Sequence, residues 1–328
     1  MNLLLTNKCN QRCPYCFLAG TLDHVDKAME EISIDNFEIA LKYAREFLDF
    51  GLKKRINLLG GEPTLHSRFE ELLRKAIYQK TKDNADVIFP VHVFSNGLFD
   101  IDLARFLAKE PCGLLLNVNE PAFYPSALWD KLEKNIVEIG TSRNNRNLVC
   151  LSINLYKPEQ DFSYIISLAQ KSKIKHIRAD IARPNIQKSN SHVALDRISQ
   201  MIPSLLALAD HCIKSGISLV TDCCLPVCSF KDEDLKMLTD KGITPSFSCR
   251  GAIDVNTDLE VWYCIPMKAL KLGKLTDYKN ARELVKALDN STYTLKWMTK
   301  SLDSCELCKW RSLKICQGGC LALKEMKE

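Results

Sequence analysis

The sequence predicts an α/β protein in which parallel strands alternate with helices, followed by a smaller cysteine-rich segment. Two observations predict the first part: apolar strand-like runs recur along residues 1–220, and a helical pattern separates each run from the next. A third observation marks a change near residue 220, since ten of the 15 cysteines lie from Cys212 onward. Short connections between such units favour right-handed crossovers. These patterns alone do not distinguish an open sheet from a barrel.

The predicted elements follow one another in a regular order. Strands are predicted at 2–6, 55–59, 87–94, 113–118, 148–155 and 176–181, with a further strand at 217–222. Helices are predicted at 68–79, 101–109, 126–139, 162–172 and 193–215. An earlier helix has clear ends, with Ser33 as its N-cap and Gly51 just past its C-terminus. A β-hairpin is predicted from 252–255 and 261–263.

Composition and charge exclude several classes of protein. Lys and Arg number 45 against 40 Asp and Glu, and the net charge of +5 is too small to indicate nucleic acid or a membrane surface as a partner. The N-terminal residues show no signal peptide, and no apolar run approaches the roughly 18 residues of a membrane helix. In such a chain cysteines indicate metal binding or catalysis rather than disulfides. We therefore expect a cytoplasmic protein.

The first strand runs directly into a CxxxCxxC loop, Cys9-Asn10-Gln11-Arg12-Cys13-Pro14-Tyr15-Cys16. Its three thiolates can hold three irons of a cubane cluster, whereas Fe–S clusters are ordinarily held by four cysteines. The remaining iron is then open to a small molecule, as a catalytic zinc keeps one position free. The alternative is a zinc loop or a chance grouping, although no histidine lies nearby to complete a tetrahedral site.

A second motif, Gly60-Gly61-Glu62-Pro63, follows the strand predicted at 55–59. Glycines let the backbone come close to a ligand, and the Glu62 carboxylate can accept a hydrogen bond from an amine. Taken alone, a Gly-Gly pair is equally typical of a turn before a helix. Together, the two motifs closely resemble the radical S-adenosylmethionine (SAM) superfamily.

This resemblance implies a partial (β/α)6 TIM-like barrel over residues 1–220, with functional residues at the C-terminal ends of the strands. It implies that Cys9, Cys13 and Cys16 bind a [4Fe–4S] cluster whose open iron chelates SAM. Tyr15 then lies by the adenine, and Gly60, Gly61, Glu62 and Pro63 help to hold the methionine end. Further SAM contacts are expected from polar strand-end residues: Ser95, Asn96, Asn117, Asn119, Ser152, Asn154, Arg178 and Asp180. For each of these, ordinary strand-end hydrogen bonding is the alternative.

The cysteine-rich segment, residues 221–328, resembles the SPASM/Twitch extension of radical SAM enzymes, which carries one or two auxiliary [4Fe–4S] clusters. By that resemblance the auxiliary ligands fall into two sets, Cys249, Cys264 and Cys320 for one cluster and Cys305, Cys308 and Cys316 for the other. The family pattern is incomplete here, because each set lacks one cysteine. Cys228 together with either Cys223 or Cys224 could supply the missing ligands, and we expect Cys228 to complete the first cluster and Cys223 the second. An open auxiliary iron and a single structural zinc knuckle are the alternatives.

Other residues receive weaker interpretations. Whichever of Cys223 and Cys224 binds no cluster is a candidate hydrogen-atom donor to a substrate radical. Three cysteines within apolar patterns are expected to be buried small side chains: Cys112, Cys150 and Cys212. Three lysines could attract an acidic substrate, with a solvated face as the alternative: Lys268, Lys271 and Lys274.

The resemblance implies an enzyme that reductively cleaves SAM to a 5′-deoxyadenosyl radical, which abstracts a hydrogen atom from a substrate carbon. Auxiliary clusters suit oxidation, cross-linking or epimerisation, and a ribosomally made peptide is the first expected substrate. A small molecule, such as a sugar, an aminocyclitol or a natural-product intermediate, is the second. An electron donor such as flavodoxin or ferredoxin is expected as a partner. The alternative of another class is a zinc-stabilised binding protein without radical chemistry.

Overall fold

The computed structural model describes residues 1–20, 30–51, 55–80, 86–142, 148–249 and 251–325. The helices in these ranges are α1 (Ile34–Asp49), α2 (Phe69–Ile77), α3 (Ile101–Lys109), α4 (Ser126–Ser142), α5 (Ser163–Ser172), α6 (Ile202–Lys214), α7 (Asp232–Asp240), α8 (Ala281–Met298) and α9 (Lys309–Ser312). The strands are β1 (Asn2–Thr6), β2 (Ile56–Gly60), β3 (Tyr78–Lys80), β4 (Asp86–Ile88), β5 (Val91–Ser95), β6 (Gly113–Asn117), β7 (Val149–Leu155), β8 (His176–Ile181), β9 (Ser218–Thr221), β10 (Asp254–Val255), β11 (Glu260–Trp262) and β12 (Lys271–Lys274).

Most of the strands form one sheet in the order β12-β11-β10-β1-β2-β5-β6-β7-β8-β9. From β1 to β9 every neighbouring pair in this order is parallel. Helices connect successive strands, so the predicted α/β class with a barrel-like arrangement of parallel strands is confirmed. The CxxxCxxC loop and Gly60 to Pro63 both lie at the C-terminal ends of their strands, where ligand sites of such sheets occur.

Burial on both faces of the sheet explains why these strands are continuous apolar runs in the sequence. A parallel sheet is covered on both faces, and Leu3, Leu4 and Leu5 of β1 are accordingly all fully buried. Helix α1 begins as predicted, since the Ser33 side chain accepts a hydrogen bond from the Asn36 N–H at 3.2 Å. Gly51 follows the helix with φ +65°, a conformation that favours glycine. Within the described ranges, no helix is long and apolar enough to cross a membrane.

The C-terminal hairpin is part of the same sheet. Strands β10 and β11 pair antiparallel, which confirms the predicted hairpin, and β12 extends it. Strand β10 also pairs parallel with β1, and the Asn2 N–H donates to the Ile253 carbonyl at 3.0 Å. Trp262 and Ile265 pack in a small apolar cluster with three leucines and against Cys16. The hairpin therefore supports the strand that leads into the first cysteine loop.

Two predicted elements were wrong in their extent. Residues 87–94 do not form one strand, because Pro90 has no N–H to donate and separates β4, which pairs with β3, from β5. The predicted helix at 193–215 divides into a 3₁₀ turn, Leu195–Met201, and α6. Pro203 lies in the first turn of α6, where a missing N–H is tolerated, so the α-helix starts beside it.

Candidate functional site

Cys9, Cys13 and Cys16 lie in the loop that follows β1, and all three are half-buried. The loop turns tightly, since the Cys16 N–H donates to the Cys13 carbonyl at 3.0 Å. Burial is the main cause that raises the pKa of each thiol, that of Cys16 to about 11, and the charges of Cys13 and Cys9 raise the Cys16 pKa further. The three thiols are therefore close enough to influence one another, and a bound metal must replace their protons.

The donor set fits an iron–sulfur cluster better than a single ion. Among the residues that the structure describes, no three His, Cys, Asp or Glu side chains are placed to share one metal ion. A cubane cluster needs no such convergence, because each cysteine thiolate binds a different iron. Three thiolates on one short loop thus fit a [4Fe–4S] cluster with one iron left for another ligand.

Gly60 and Gly61 pack against the start of the cysteine loop. A Cβ atom would lie 2.3 Å from the Thr6 carbonyl oxygen at Gly60 and 2.3 Å from the Lys8 carbonyl oxygen at Gly61. The Gly61 N–H donates to the Thr6 carbonyl at 2.9 Å, and the Glu62 N–H to the Lys8 carbonyl at 2.7 Å. In this structure the glycines are thus required by the neighbouring backbone, and their contact with SAM stays a prediction.

Glu62 connects the ends of β2 and β5. Its side chain is 1% exposed, and one carboxylate oxygen accepts hydrogen bonds from the Thr64 hydroxyl at 2.7 Å and the Ser95 hydroxyl at 2.8 Å. The other oxygen accepts the Asn96 N–H at 2.7 Å. Burial raises the pKa of Glu62 despite these donors. Pro63 opens a 3₁₀ turn, Pro63–Leu65, that holds the carboxylate at this position.

A chain of side-chain amides surrounds Tyr15. The Asn154 amide donates to Asn117 at 2.8 Å, and the Asn117 amide donates to the Tyr15 hydroxyl at 2.8 Å. The Tyr15 hydroxyl donates to Asn119, whose own amide donates to the Cys13 thiol at 3.3 Å. Tyr156, which the sequence did not single out, places its ring centroid 5.4 Å from that of Tyr15. The structure thus brings strand-end residues of β6 and β7 to the cysteine loop.

Asn96 makes a further contact with this loop. Its side-chain amide donates to the Asn10 side chain at 2.7 Å, between Cys9 and Cys13. Ser95 and Asn96 therefore act together, one on Glu62 and the other on the loop. Both residues are buried.

Ser152 and Arg178 belong to a separate charged network on β7, β8 and the residue after β9. The Arg178 guanidinium donates to the Ser152 hydroxyl at 3.0 Å and pairs with Asp180 and Asp222, both at 3.1 Å. A second arginine, Arg183, faces Asp180 at 3.6 Å and was not singled out from the sequence. No simple motif marks it, since it becomes notable only through its burial.

The first C-terminal cysteine group consists of Cys224, Cys249, Cys264 and Cys320. Hydrogen bonds from the thiols of Cys224 and then Cys320 lower the pKa of Cys249, while the hydrogen bond with Cys249 is the main cause that raises the pKa of Cys224. Burial raises the pKa of Cys264, and the charges of Cys320 and Cys249 raise it further. Four thiols from distant parts of the chain thus influence one another's pKa.

The second C-terminal cysteine group consists of Cys228, Cys305, Cys308 and Cys316. Burial raises the pKa of Cys228, and the charges of Cys305, Cys316 and Cys308 raise it further. The Gly318 N–H donates to the Cys316 thiol at 3.3 Å, and Cys305 and Cys316 are buried. This group also contains four thiols.

The expected assignment of the fourth cysteines stays a prediction, and the thiols interact in a different pattern. The charges of Cys305, Cys316 and Cys308 act on the pKa of Cys228, whereas Cys249 and Cys320 act on the pKa of Cys224. Burial raises the pKa of Cys223, and Asp180 and Cys320 raise it further while Arg183 lowers it. Cys228 lies in a 3₁₀ turn, Val227–Ser229, that follows β9.

The remaining sequence candidates are less informative. Lys271 pairs with Glu260 at 2.6 Å and Lys274 with Asp258 at 3.5 Å, so both lie on a charged face of the hairpin. Lys268 is half-buried, and burial lowers its pKa. Cys112 and Cys212 are buried as expected, whereas Cys150 is half-buried.

Fold and site together define a class of protein: an α/β fold with three cysteines in the loop after its first strand and two further groups of cysteines between residues 224 and 320. Residues 3–134 match the family model described as the Radical SAM superfamily. These residues, which include the CxxxCxxC loop and Gly60 to Pro63, therefore match a radical SAM domain, and enzymes of that superfamily use SAM and a [4Fe–4S] cluster.

Individual relatives are more distant. A GTP 3′,8-cyclase of Helicobacter pylori (strain HPAG1) is 32% identical over 105 residues, which are 32% of this chain and 29% of that protein. The match thus spans less than a third of the curated relative. The solved structure of anSMEcpe with bound AdoMet and Cp18Cys peptide has 17% identity and a TM-score of 0.62, over 97% of this chain and 88% of that one. Streptococcus suis SuiB bound to S-adenosylmethionine has 14% identity and a TM-score of 0.66, over 98% and 72%. At these identities the two structures show a shared fold.

Proposed function

We propose that this protein is a radical SAM enzyme that cleaves SAM reductively and abstracts a hydrogen atom from a carbon of a ribosomally made peptide. The observation that carries the proposal is the set of three thiols, Cys9, Cys13 and Cys16, gathered at the end of β1. The Asn119 amide, which donates to the Cys13 thiol at 3.3 Å, supports a thiolate at this position. When bound, the cluster and SAM supply one-electron cleavage of a sulfonium and hydrogen-atom abstraction.

The protein's own residues hold and orient these groups in our proposal. Cys9, Cys13 and Cys16 bind the cluster, and Gly60 to Pro63 form the wall beside it. Tyr15 is fixed by Asn117 and Asn119 so that its ring lines the SAM site. The other proposed contacts to SAM are Ser95, Asn96, Ser152, Asn154 and Arg178. Of these, Ser152 and Arg178 already bind each other, which favours a positioning role for them.

We further propose that the two C-terminal groups of four thiols hold auxiliary [4Fe–4S] clusters. Each group supplies the four cysteines that such clusters ordinarily use. Residues 1–220 would form the SAM-binding part and 221–328 the auxiliary part of a cytoplasmic enzyme reduced by a flavodoxin or ferredoxin. Cys223, the thiol outside both groups, stays the candidate hydrogen-atom donor.

A peptide substrate is favoured by one comparison. The anSMEcpe structure, which shares the fold over 97% of this chain, contains a bound peptide. A small-molecule substrate is the second candidate, because the Helicobacter pylori relative is a GTP 3′,8-cyclase. Incubation with SAM, reductant and deuterated candidates of both kinds separates them, since deuterium passes to 5′-deoxyadenosine from the substrate alone.

Purification in the absence of oxygen tests the proposal as a whole. We expect a brown protein with about twelve irons per chain, as three [4Fe–4S] clusters require. With SAM and dithionite it should produce 5′-deoxyadenosine. A colourless protein that contains zinc and cleaves no SAM would contradict the proposal and favour a zinc-stabilised binding protein.

A further inference from the structure

Arg183 lies two residues beyond β8 and is 3% exposed. Its two terminal nitrogens have partners, because Nη1 donates to the Ile181 carbonyl at 2.7 Å and Nη2 to the Cys224 carbonyl at 3.3 Å. Its Nε–H has no hydrogen-bond partner among the described residues. A buried N–H without an acceptor is destabilising, so this position calls for an acceptor that protein atoms do not supply.

The surroundings of Arg183 indicate what that acceptor is. Asp180 lies 3.6 Å from its guanidinium, and Nη2 reaches the backbone of Cys224. Burial lowers the pKa of Arg183, but the charges of Asp180 and then of the Cys320, Cys223 and Cys224 thiols raise it above its ordinary value. Cys320 and Cys224 both belong to the first C-terminal group. Because the guanidinium is buried and already contacts the Cys224 backbone, a group held by Cys224 and Cys320 is a candidate acceptor for Nε–H.

We propose that the Nε–H of Arg183 donates to a sulfur of the auxiliary cluster held by Cys224, Cys249, Cys264 and Cys320, and that this cation raises the reduction potential of that cluster. The inference rests on the proposed function, which supplies the cluster. Reduction adds one electron and hence one negative charge to the cluster, so a buried cation and a hydrogen bond to sulfur stabilise the reduced state. Asp180 at 3.6 Å opposes part of this effect.

The loop that carries Arg183 also reaches the first cysteine loop. The Asn190 side-chain amide donates to the carbonyls of both Arg183, at 2.8 Å, and Tyr15, at 2.9 Å. The Asn185 amide donates to the Ala19 carbonyl at 3.1 Å. One short segment therefore holds Arg183 in place and connects the two proposed cluster sites.

The test is a redox titration of the fully loaded protein, followed by electron paramagnetic resonance, in the variants Arg183→Gln and Arg183→Lys. In Arg183→Gln we expect the reduced-to-oxidised ratio of one auxiliary cluster to fall about tenfold at a fixed potential, a shift of about 59 mV for one electron. Arg183→Lys keeps the positive charge but loses the planar guanidinium group, so the reduction potential should shift less than in Arg183→Gln. The signals of the other two clusters should not move. Arg45→Gln, an exposed arginine of α1, is the matched control.

Several outcomes would overturn the inference. One is an Arg183→Gln protein that binds all its iron and titrates like wild type, as expected if a buried water satisfies Nε. Another is lower stability or iron content with no shift in potential, which indicates a purely structural role. If Arg183→Gln does not fold, an unshifted Arg183→Lys protein decides against the inference. A wild-type protein with only about four irons per chain would contradict the auxiliary part of the proposed function itself.

Discussion

The N-terminal cysteine loop and the two C-terminal cysteine groups differ in the number of their thiols, in the spacing of these thiols along the chain and in the groups around them. The loop places three thiols within eight residues and surrounds them with side-chain amides, such as Asn119 at Cys13. Each C-terminal group collects four thiols from separate segments, and their partners are chiefly other thiols and backbone, as at Gly318. Three thiolates leave one iron for a substrate-like ligand, whereas four complete a cluster. In the proposed function, this difference separates a site for SAM chemistry from two sites for holding or passing electrons.

The largest expected effect comes from removing one thiol of the N-terminal cysteine loop. In Cys13→Ala only two thiols remain in the loop, so we expect SAM cleavage to fall to background and about four irons per chain to be lost. Product analysis of 5′-deoxyadenosine and an iron assay measure both. Cys150→Ala changes a cysteine outside all three groups and should keep both values. If Cys13→Ala cleaved SAM as fast as wild type, the N-terminal loop could not be the site of SAM cleavage.

The next effect separates two adjacent cysteines. Cys224→Ala removes a member of the first C-terminal group, so about four irons per chain should be lost while the N-terminal cluster persists. Cys223→Ala is the matched control and should keep its iron. Iron assays with electron paramagnetic resonance distinguish the variants. The opposite result would restore the assignment expected from the sequence.

A smaller effect is expected from the amides that only the N-terminal loop possesses. Asn119→Ala removes the donor to Cys13 and the acceptor of Tyr15, so SAM cleavage should fall by about 10–100-fold. Leaving the buried Tyr15 hydroxyl with one fewer partner should lower the free energy of unfolding by about 1–3 kcal/mol. Tyr15→Phe keeps the bond from Asn119 to Cys13 and should retain more activity. If Asn119→Ala and Tyr15→Phe lost the same amount of SAM cleavage, the hydrogen bond from Asn119 to Cys13 would make no separate contribution to activity.

The smallest effect concerns pH. Burial raises the folded-state pKa of Glu62, so the folded protein binds this proton more tightly than the unfolded chain does. The contribution of Glu62 to stability is therefore greatest below its unfolded pKa and declines as pH rises through the folded value. The free energy of unfolding of wild type, relative to that of Glu62→Gln, should therefore fall as pH rises above about 4.3, the usual pKa of glutamate, in anaerobic urea unfolding. A rise of wild-type stability relative to Glu62→Gln over the same range would contradict this explanation.

The same contrast explains how far the sequence could predict the protein. The CxxxCxxC loop and Gly60 to Pro63 are local motifs, and a local motif can be recognised without knowing where the rest of the chain goes. The neighbours of Cys224 and Cys228 are brought together by the fold after β9, and no local motif specifies them. Arg183 carries no motif at all. Its Nε–H, which has no partner among the described residues, becomes notable only once Arg183 is buried against the Ile181 and Cys224 carbonyls.

The pairing of β10 with β1 has a consequence for how the molecule is made. Strand β1 is synthesised well before β10, the neighbour that contains Asp254 and Val255. Until then the strand that precedes the cysteine loop has an exposed edge, and exposed edges are prone to pair with other chains. A shortened protein that ends near residue 220 should therefore aggregate even though it retains Cys9, Cys13 and Cys16. Late closure of that edge would also delay metal loading until β10 has been synthesised.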